Sequence, residues 1–240
     1  VWSKGLLCRL EKEGRVLMNR PMVLHAWRAY TDNDGVYGHA PRCMGDWKTD
    51  LVHTAKFGFH NMTVEQTGDR VVMKVTGKLL PQGRYWWFDI TMIYTVCGGE
   101  IALSVNGVPQ GNLPKNLPRL GIRLDLPEAY QQCSWYGRGP GDSYADRKAN
   151  AHFGNWQNDI SQLNFLYDVP QETGNHEDCR LLCISGGDLS LTVMGNFSFS
   201  CHDFTLENLT AARHFDELER IERKQLYVDY KMRPIGSASC

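Results

Sequence analysis

Four short segments concentrate the side chains able to hold a hydroxylated or charged ligand. Trp27–Gly35 places Asp32, Asn33 and Asp34 in one turn beside Arg28. Two carboxylates and an amide so close together can hold a polyol or fix a guanidinium; an Asx-rich turn with a structural ion pair is the competing reading. Gln82–Phe88 sets Gly83 and Arg84 before Tyr85, Trp86 and Trp87. Consecutive rings on a strand alternate faces, so at least one is expected to be exposed or buried against another domain. Exposed rings stack on the apolar C–H faces of sugars or anchor interfaces, and core burial is the alternative. Trp135–Lys148 reads as a long glycine-rich loop carrying Arg138, Asp142, Tyr144, Asp146 and Arg147, a composition that suits a functional loop. Its glycine spacing fits no phosphate cradle. Val169–His176 joins Glu172 and Asn175 to a second amide and a histidine, as a site or as a capped turn.

Other chemistries find no footing. There is no P-loop, dinucleotide glycine fingerprint, H-E-x-x-H or G-x-S-x-G. The 8 His are dispersed. The 8 Cys include no C-x-x-C pair, and even spacing puts Cys179 and Cys183 on one strand face as buried thiols. Three N-x-[ST] sequons begin at Asn61, Asn196 and Asn208, a number that chance supplies. With 26 Lys+Arg against 27 Asp+Glu, no basic excess marks a nucleic-acid or anionic-membrane binder. No apolar run approaches the roughly 20 residues of a membrane span. The chain opens on Val1 and is expected to be a piece of something longer.

These segments must be carried by strands. Runs rich in Val, Ile, Thr and aromatics recur at Asn61–Thr67, Arg70–Leu79, Tyr85–Thr95, Glu100–Val105, Arg119–Leu126 and Leu189–Val193. Gly68-Asp69 and Val96–Gly99 punctuate them like hairpin turns. Val71, Met73 and Val75 alternate with Val72, Lys74 and Thr76, the period of a half-buried strand. Thr205–Lys224 instead shows helical spacing, with Leu206 and Leu209 three apart, then Phe215, Leu218 and Ile221; Thr205 can cap it. Val108–Pro118 is expected to be the longest surface loop. The pattern predicts one all-β domain over residues 1–240, an antiparallel β-sandwich with a short helical crossover near 205–224.

In this order the segments resemble the C-terminal domain of family 2 glycoside hydrolases of the β-galactosidase type, which in some bacteria is a separate small subunit. Arg28 to Gly35 resembles the family's Arg…Asp-Asn-Asp…Gly box. Tyr136-Gly137-Arg138-Gly139-Pro140 through Tyr144-Ala145-Asp146-Arg147 is similar to its Gly-x-Gly-Pro…Tyr-x-Asp-Arg motif, and Pro170–Asn175 to its Pro-Gln-Glu-x-Gly-Asn motif. Phe197–Ser200 and Leu226 to Cys240 match further stretches. Asp142, His176 and Met232-Arg233-Pro234 depart from the usual residues, and the family pattern continues past Cys240, so an unpaired strand edge is expected.

The resemblance implies a large galactose-mutarotase-like sandwich that packs on a catalytic (β/α)₈ barrel. A retaining glycosidase needs two carboxylates about 5 Å apart, and in this family both lie on the barrel. No catalytic residue is therefore assigned here, and the 240-residue chain alone is expected to hydrolyse no β-galactoside. The domain would help close the sugar pocket. Gly83, Arg84, Tyr85, Trp86 and Cys240 would stand near substrate. Arg28, Asp32, Asn33, Asp34, Arg138, Tyr144, Asp146, Arg147, Glu172 and Asn175 would support them. No cofactor is implied in this domain, Mg²⁺ or Na⁺ belonging to the barrel. The partners implied are that barrel, a β-galactoside and further copies in an oligomer, in a cytoplasmic setting, with neither nucleic acid nor membrane. A free-standing carbohydrate-binding or mutarotase-like module, or an unrelated interaction domain, is the alternative. Two geometric expectations follow. The Asp32–Asp34 turn should share one end of the sandwich with Trp135–Arg147, Arg28 or Arg147 pairing a carboxylate. At least one ring of Tyr85, Trp86 and Trp87 should be exposed within an apolar patch.

Overall fold

Strand alternation dominates the chain, as its sequence dictates. The computed structural model describes residues 1–35 and 43–236. Two short hairpins open it: β1 (Trp2–Ser3) with β2 (Leu6–Leu7), and β3 (Leu10–Lys12) with β4 (Arg15–Met18). After β5 (Val23–His25) and α1 (Cys43–Thr49), four long strands form a meander: β6 (Lys56–Thr67), β7 (Arg70–Leu80), β8 (Trp86–Cys97) and β9 (Glu100–Gly111). The second sheet holds seven strands in the order β12-β11-β13-β14-β15-β10-β5. Its remaining members are β10 (Arg119–Pro127), β11 (Gln132–Gly139), β12 (His152–Asp159), β13 (His176–Gly186), β14 (Leu189–His202) and β15 (Arg223–Met232), with α2 (Leu206–Ala211) between the last two. All pairings are antiparallel, and the buried faces of both sheets share one core. This is an all-β sandwich.

Met73 and Val75 of β7 point into that core, as their period required. Thr205 caps α2, its hydroxyl accepting from the Asn208 amide at 3.0 Å. The helical spacing of Phe215, Leu218 and Ile221 yields only a single 3₁₀ turn, Phe215–Glu217: Phe215 is exposed and Leu218 and Ile221 are only half-buried, too little apolar contact to hold a longer helix.

Three expectations are corrected. β9 runs through Val108 to Gly111, since β8 supplies a pairing partner for every residue from Glu100 to Gly111. Likewise, β11 extends to Gly139, so the supposed loop begins only at Pro140. Its glycines serve close packing: a Cβ on Gly137 would lie 2.6 Å from Cys179 Sγ, and one on Gly139 2.7 Å from the Trp156 ring. Finally, register shifts on either side of Cys179 change the side-chain parity of β13. Cys179 and Leu182 face the core while Cys183 is only half-buried, so the two thiols do not share a face.

Candidate functional site

The site rests on an unusual sheet surface. Directly paired residues share a face. On β14 and β15 one face carries Phe199, Cys201, Leu226 and Val228; the other carries Ser198, Ser200, Tyr227 and Asp229. That second face is polar yet buried. At its centre the Arg119 guanidinium donates to Asp229 Oδ2 at 2.6 Å and to Ser200 Oγ at 2.6 Å, and lies 4.6 Å from the Tyr227 ring centroid. His25 Nε2 stands 3.2 Å from Asp229 Oδ1. Burial works against the Arg119 charge, but Asp229 and Glu172 outweigh it and hold its pKa up.

Three loop motifs cover this layer. In the first, Arg28 donates to both oxygens of Asp34, at 2.7 and 3.2 Å, with neither residue exposed. Asp34 also accepts from the Thr31 amide at 2.8 Å and the Thr31 hydroxyl at 3.0 Å, closing a capping box around the Asp32–Asp34 turn. The second motif is Pro170–Asn175. The Glu172 amide donates to Tyr30 O, and the Glu172 carboxylate is buried with Oε1 3.9 Å from Arg119 Nη1. Among the described residues, neither Glu172 oxygen has a hydrogen-bond donor within reach. In the third, the Ser143 amide donates to Asn175 O at 2.6 Å and Asn175 Nδ2 donates back to Ser143 O at 2.7 Å. Tyr144 is buried beside Arg147, which pairs with Asp142. Arg138 holds Asp178 at 2.5 Å and the Ala151 carbonyl at 3.1 Å.

The first and third motifs converge on one backbone segment. Asn33 Nδ2 donates to Ile235 O at 2.8 Å, while Asp146 accepts from the Ile235 amide at 3.1 Å and the Gly236 amide at 2.5 Å. A Cβ at Gly236 would meet Asp146 Oδ2 at 2.5 Å, so only glycine lets that carboxylate approach. The Asp32–Asp34 turn and the Tyr144–Arg147 turn thus share one end of the sandwich. Both arginines named beforehand pair a carboxylate, Arg28 with Asp34 and Arg147 with Asp142. Cys240 lies outside the described residues.

The aromatic turn is joined to the same end through α1. Trp47 is sealed in the core, stacks on Tyr30 with ring centroids 6.1 Å apart, and lies under Arg28 at 5.1 Å. Beyond it, residues 49–54 hold the Gly83 turn: Arg84 Nε donates to Thr49 O, Trp86 Nε1 to Asp50 O at 2.9 Å, and the Gln82 amide to Thr54 Oγ1 at 3.0 Å. Gly83 has φ +81°, which suits glycine. The Gly83 turn is therefore pinned at three points. Tyr85 is 72% exposed, whereas Trp86 is 1% exposed, its ring turned into the core. Trp87 is half-buried, in edge contact with Tyr85 at 5.2 Å.

Burial pushes the Glu172 carboxyl up to about 7 against the pull of Arg119 and Arg28. The same cause lowers His176 to about 4 and His202 to about 3, and lowers His25 despite Asp229. These three histidines are buried, so they offer no open acid–base pair with Glu172. Among the described residues no group of three or more His, Cys, Asp and Glu is placed to hold a metal, and no helix is long and apolar enough to cross a membrane.

Sequence reasoning missed Arg119, Asp229, His25 and Trp47. One signal was available: β10 and β15 alternate polar and apolar residues, which reads as a solvated face. Here the polar face is the one that the loops bury.

Fold and site together define an all-β sandwich domain whose buried polar layer orders a set of loops at one end. The family described as beta galactosidase small chain matches residues 2–240, and the chain belongs to that family. It is 31% identical over 241 residues to a β-galactosidase of Actinobacillus pleuropneumoniae, covering 99% of this chain and 23% of the relative. A β-galactosidase of Kluyveromyces lactis is 32% identical over 222 residues, covering 89% of this chain and 21% of the relative. One of Vibrio cholerae is 33% identical over 239 residues, covering 97% and 23%. The chain thus spans under a quarter of the length of the curated relatives it matches.

Proposed function

We propose that this chain is a non-catalytic domain of a β-galactosidase of glycoside hydrolase family 2, and that it helps close the sugar pocket of a catalytic (β/α)₈ barrel. The observation that carries the reading is one contiguous path of contacts. It runs from the Gly83 turn through residues 49–54, Trp47, Arg28–Asp34 and Glu172 to Tyr144, Asp146 and Ile235–Gly236. Such a path holds several loops in fixed register, which substrate positioning needs. Tyr85 offers an exposed face to a sugar ring at one end of it, next to Gly83 and Arg84. At the other end Asn33 and Asp146 clamp the Ile235–Gly236 backbone.

The acid and nucleophile of a retaining mechanism, about 5 Å apart, are supplied by the barrel. Glu172 is sealed beneath its loops and pairs with Arg119, so it supports structure rather than chemistry. The sandwich is of the galactose-mutarotase type, works in an oligomer and needs no cofactor of its own. Among the described residues Cys8, Cys97, Cys133, Cys179, Cys183 and Cys201 are free thiols, which suits a reducing, cytoplasmic setting.

The test compares hydrolysis of o-nitrophenyl β-galactoside by the full polypeptide that carries this chain and by the 240-residue chain alone. The full polypeptide is expected to turn over and the chain alone to match a buffer blank. Turnover by the chain alone, or none by the full polypeptide, overturns the reading.

A further inference from the structure

Three adjacent strands of the seven-stranded sheet each carry an extra residue at neighbouring positions. On β13 the stretch from His176 to Cys179 is one residue longer than its partner stretch, Phe199 to Phe197 of β14. Just beyond, β14 is the longer strand, since Cys179 pairs with Phe197 but Leu181 with Met194. On β15 Tyr230 has no partner on β10: Leu120 pairs with Lys231 and Gly121 with Asp229. The β14–β15 ladder also stops here, its last pair being Ser198 with Asp229. Bulges re-aim side chains and collect beside binding sites.

The strands part around a cleft of about 320 Å³. Its lining includes Glu177 and Asp178 from the β13 bulge, Asn196 and Ser198 from β14, Tyr230 from β15, and Lys148 just after the Tyr144–Arg147 turn. Lys148 Nζ donates to Asp178 Oδ2 at 3.0 Å. Asn175 Nδ2 donates to Glu177 Oε1 at 3.1 Å, while Glu177 Oε2 has only Lys148 near it, at 3.7 Å. Ser198 is 5% exposed, and its hydroxyl has no hydrogen-bond partner among the described residues. A buried hydroxyl without a partner is costly, so a ligand that supplies one is favoured. Tyr230, by contrast, is 81% exposed at the cleft's border.

We propose that this cleft binds one neutral hexopyranose, its ring against Tyr230 and its hydroxyls held by Glu177, Lys148 and Ser198. Charge, size and lining select that class. Lys148 and Lys231 balance Glu177 and Asp178 in the lining, so no single sign of charge is there to draw in an ion. Ligand sites span roughly 300–1,000 Å³, and a cleft at the small end of that range suits one ring rather than a long chain. An exposed aromatic ring beside hydrogen-bonding groups takes the C–H face of a sugar while its neighbours take the hydroxyls. The inference uses neither the Gly83 turn nor the Ile235–Gly236 segment. It stands whether or not the chain helps close a barrel's sugar pocket.

The test uses the full polypeptide that carries this chain and a thio-linked galactoside bearing a diazirine, which is not hydrolysed. After photolysis, the labelled peptides are located by mass spectrometry. Label is expected within 176–198 or 225–233, and an excess of free methyl thiogalactoside should suppress it. Tyr230→Ala should cut that label at least about fivefold without lowering the melting temperature, since the exposed ring contributes to binding and not to the core. No label in either stretch overturns the proposal. So does label that Tyr230→Ala leaves undiminished, or label that inorganic phosphate suppresses as well as the sugar does. Label within 82–88 reports on the Gly83 turn separately, so a failure here is distinct from a failure of the functional reading.

Discussion

Replacing Asp34 by alanine strikes the site at its most closely bonded point. The carboxylate accepts four hydrogen bonds, two from Arg28 and two from Thr31, and is fully enclosed. Arg28 has no route to solvent: its guanidinium lies against Trp47 and, among the described residues, its only other acceptor is Ala29 O at 2.9 Å. Removing one partner of a buried pair strands the other charge and costs about 3–5 kcal/mol. The unpaired Thr31 donors overlap with that cost rather than adding to it. For a domain of this size the melting temperature should fall by about 6–20 °C. Urea unfolding followed by tryptophan fluorescence checks the magnitude. Arg28→Met combined with Asp34→Leu should recover much of the loss, because a buried pair replaced by apolar groups is often neutral. A cost below about 1 kcal/mol for Asp34→Ala, or no recovery in the double variant, would refute the claim that this pair anchors the loops.

Glu172→Gln should gain stability relative to the parent as pH rises. The folded pKa is raised from 4.5 to about 7, so the parent's stability is fully present below about 4.5 and declines until about 7. Parallel stability–pH curves would count against a buried Glu172. His176, depressed to about 4, has the opposite sign: its contribution is present above 6.5 and is lost as pH falls toward 4, so His176→Phe should flatten acid unfolding in that window. Asp146→Ala should speed amide exchange at Ile235 and Gly236 by about tenfold or more, since charge-assisted hydrogen bonds contribute about 1.5–3 kcal/mol each; unchanged exchange removes the clamp. Gly137→Ala should cost about 1–3 kcal/mol in urea unfolding by driving a methyl into the Cys179 backbone, and a neutral result would show that β11 and β13 can separate freely.

The strands of the meander were legible because their period and turns agree with their pairing, as in Val71, Met73 and Val75. The reach of β9 to Gly111 and of β11 to Gly139 was not, because pairing with neighbouring strands overrode local glycine and proline content. Cys183 was misplaced by register shifts that no residue type announces. The loop motifs around Arg28, Asp146 and Glu172 could be picked out by composition, since such polar groups rarely cluster without cause. Their common foundation could not. Arg119 and Asp229 lie 110 residues apart and meet only through the β10–β15 register. Trp86 shows the limit for aromatics: adjacency to Tyr85 says that the rings face opposite ways, but not which one the core takes.

The distance from the sugar to this domain, in a structure of the full polypeptide with a bound β-galactoside, decides whether the domain helps close the pocket. The Gly83–Tyr85 turn and the Ile235–Gly236 segment are expected to line the sugar pocket, within about 4 Å of the ligand or of the side chains that touch it. A sugar bound on the barrel with both segments turned to solvent, or facing another part of the assembly, would contradict it.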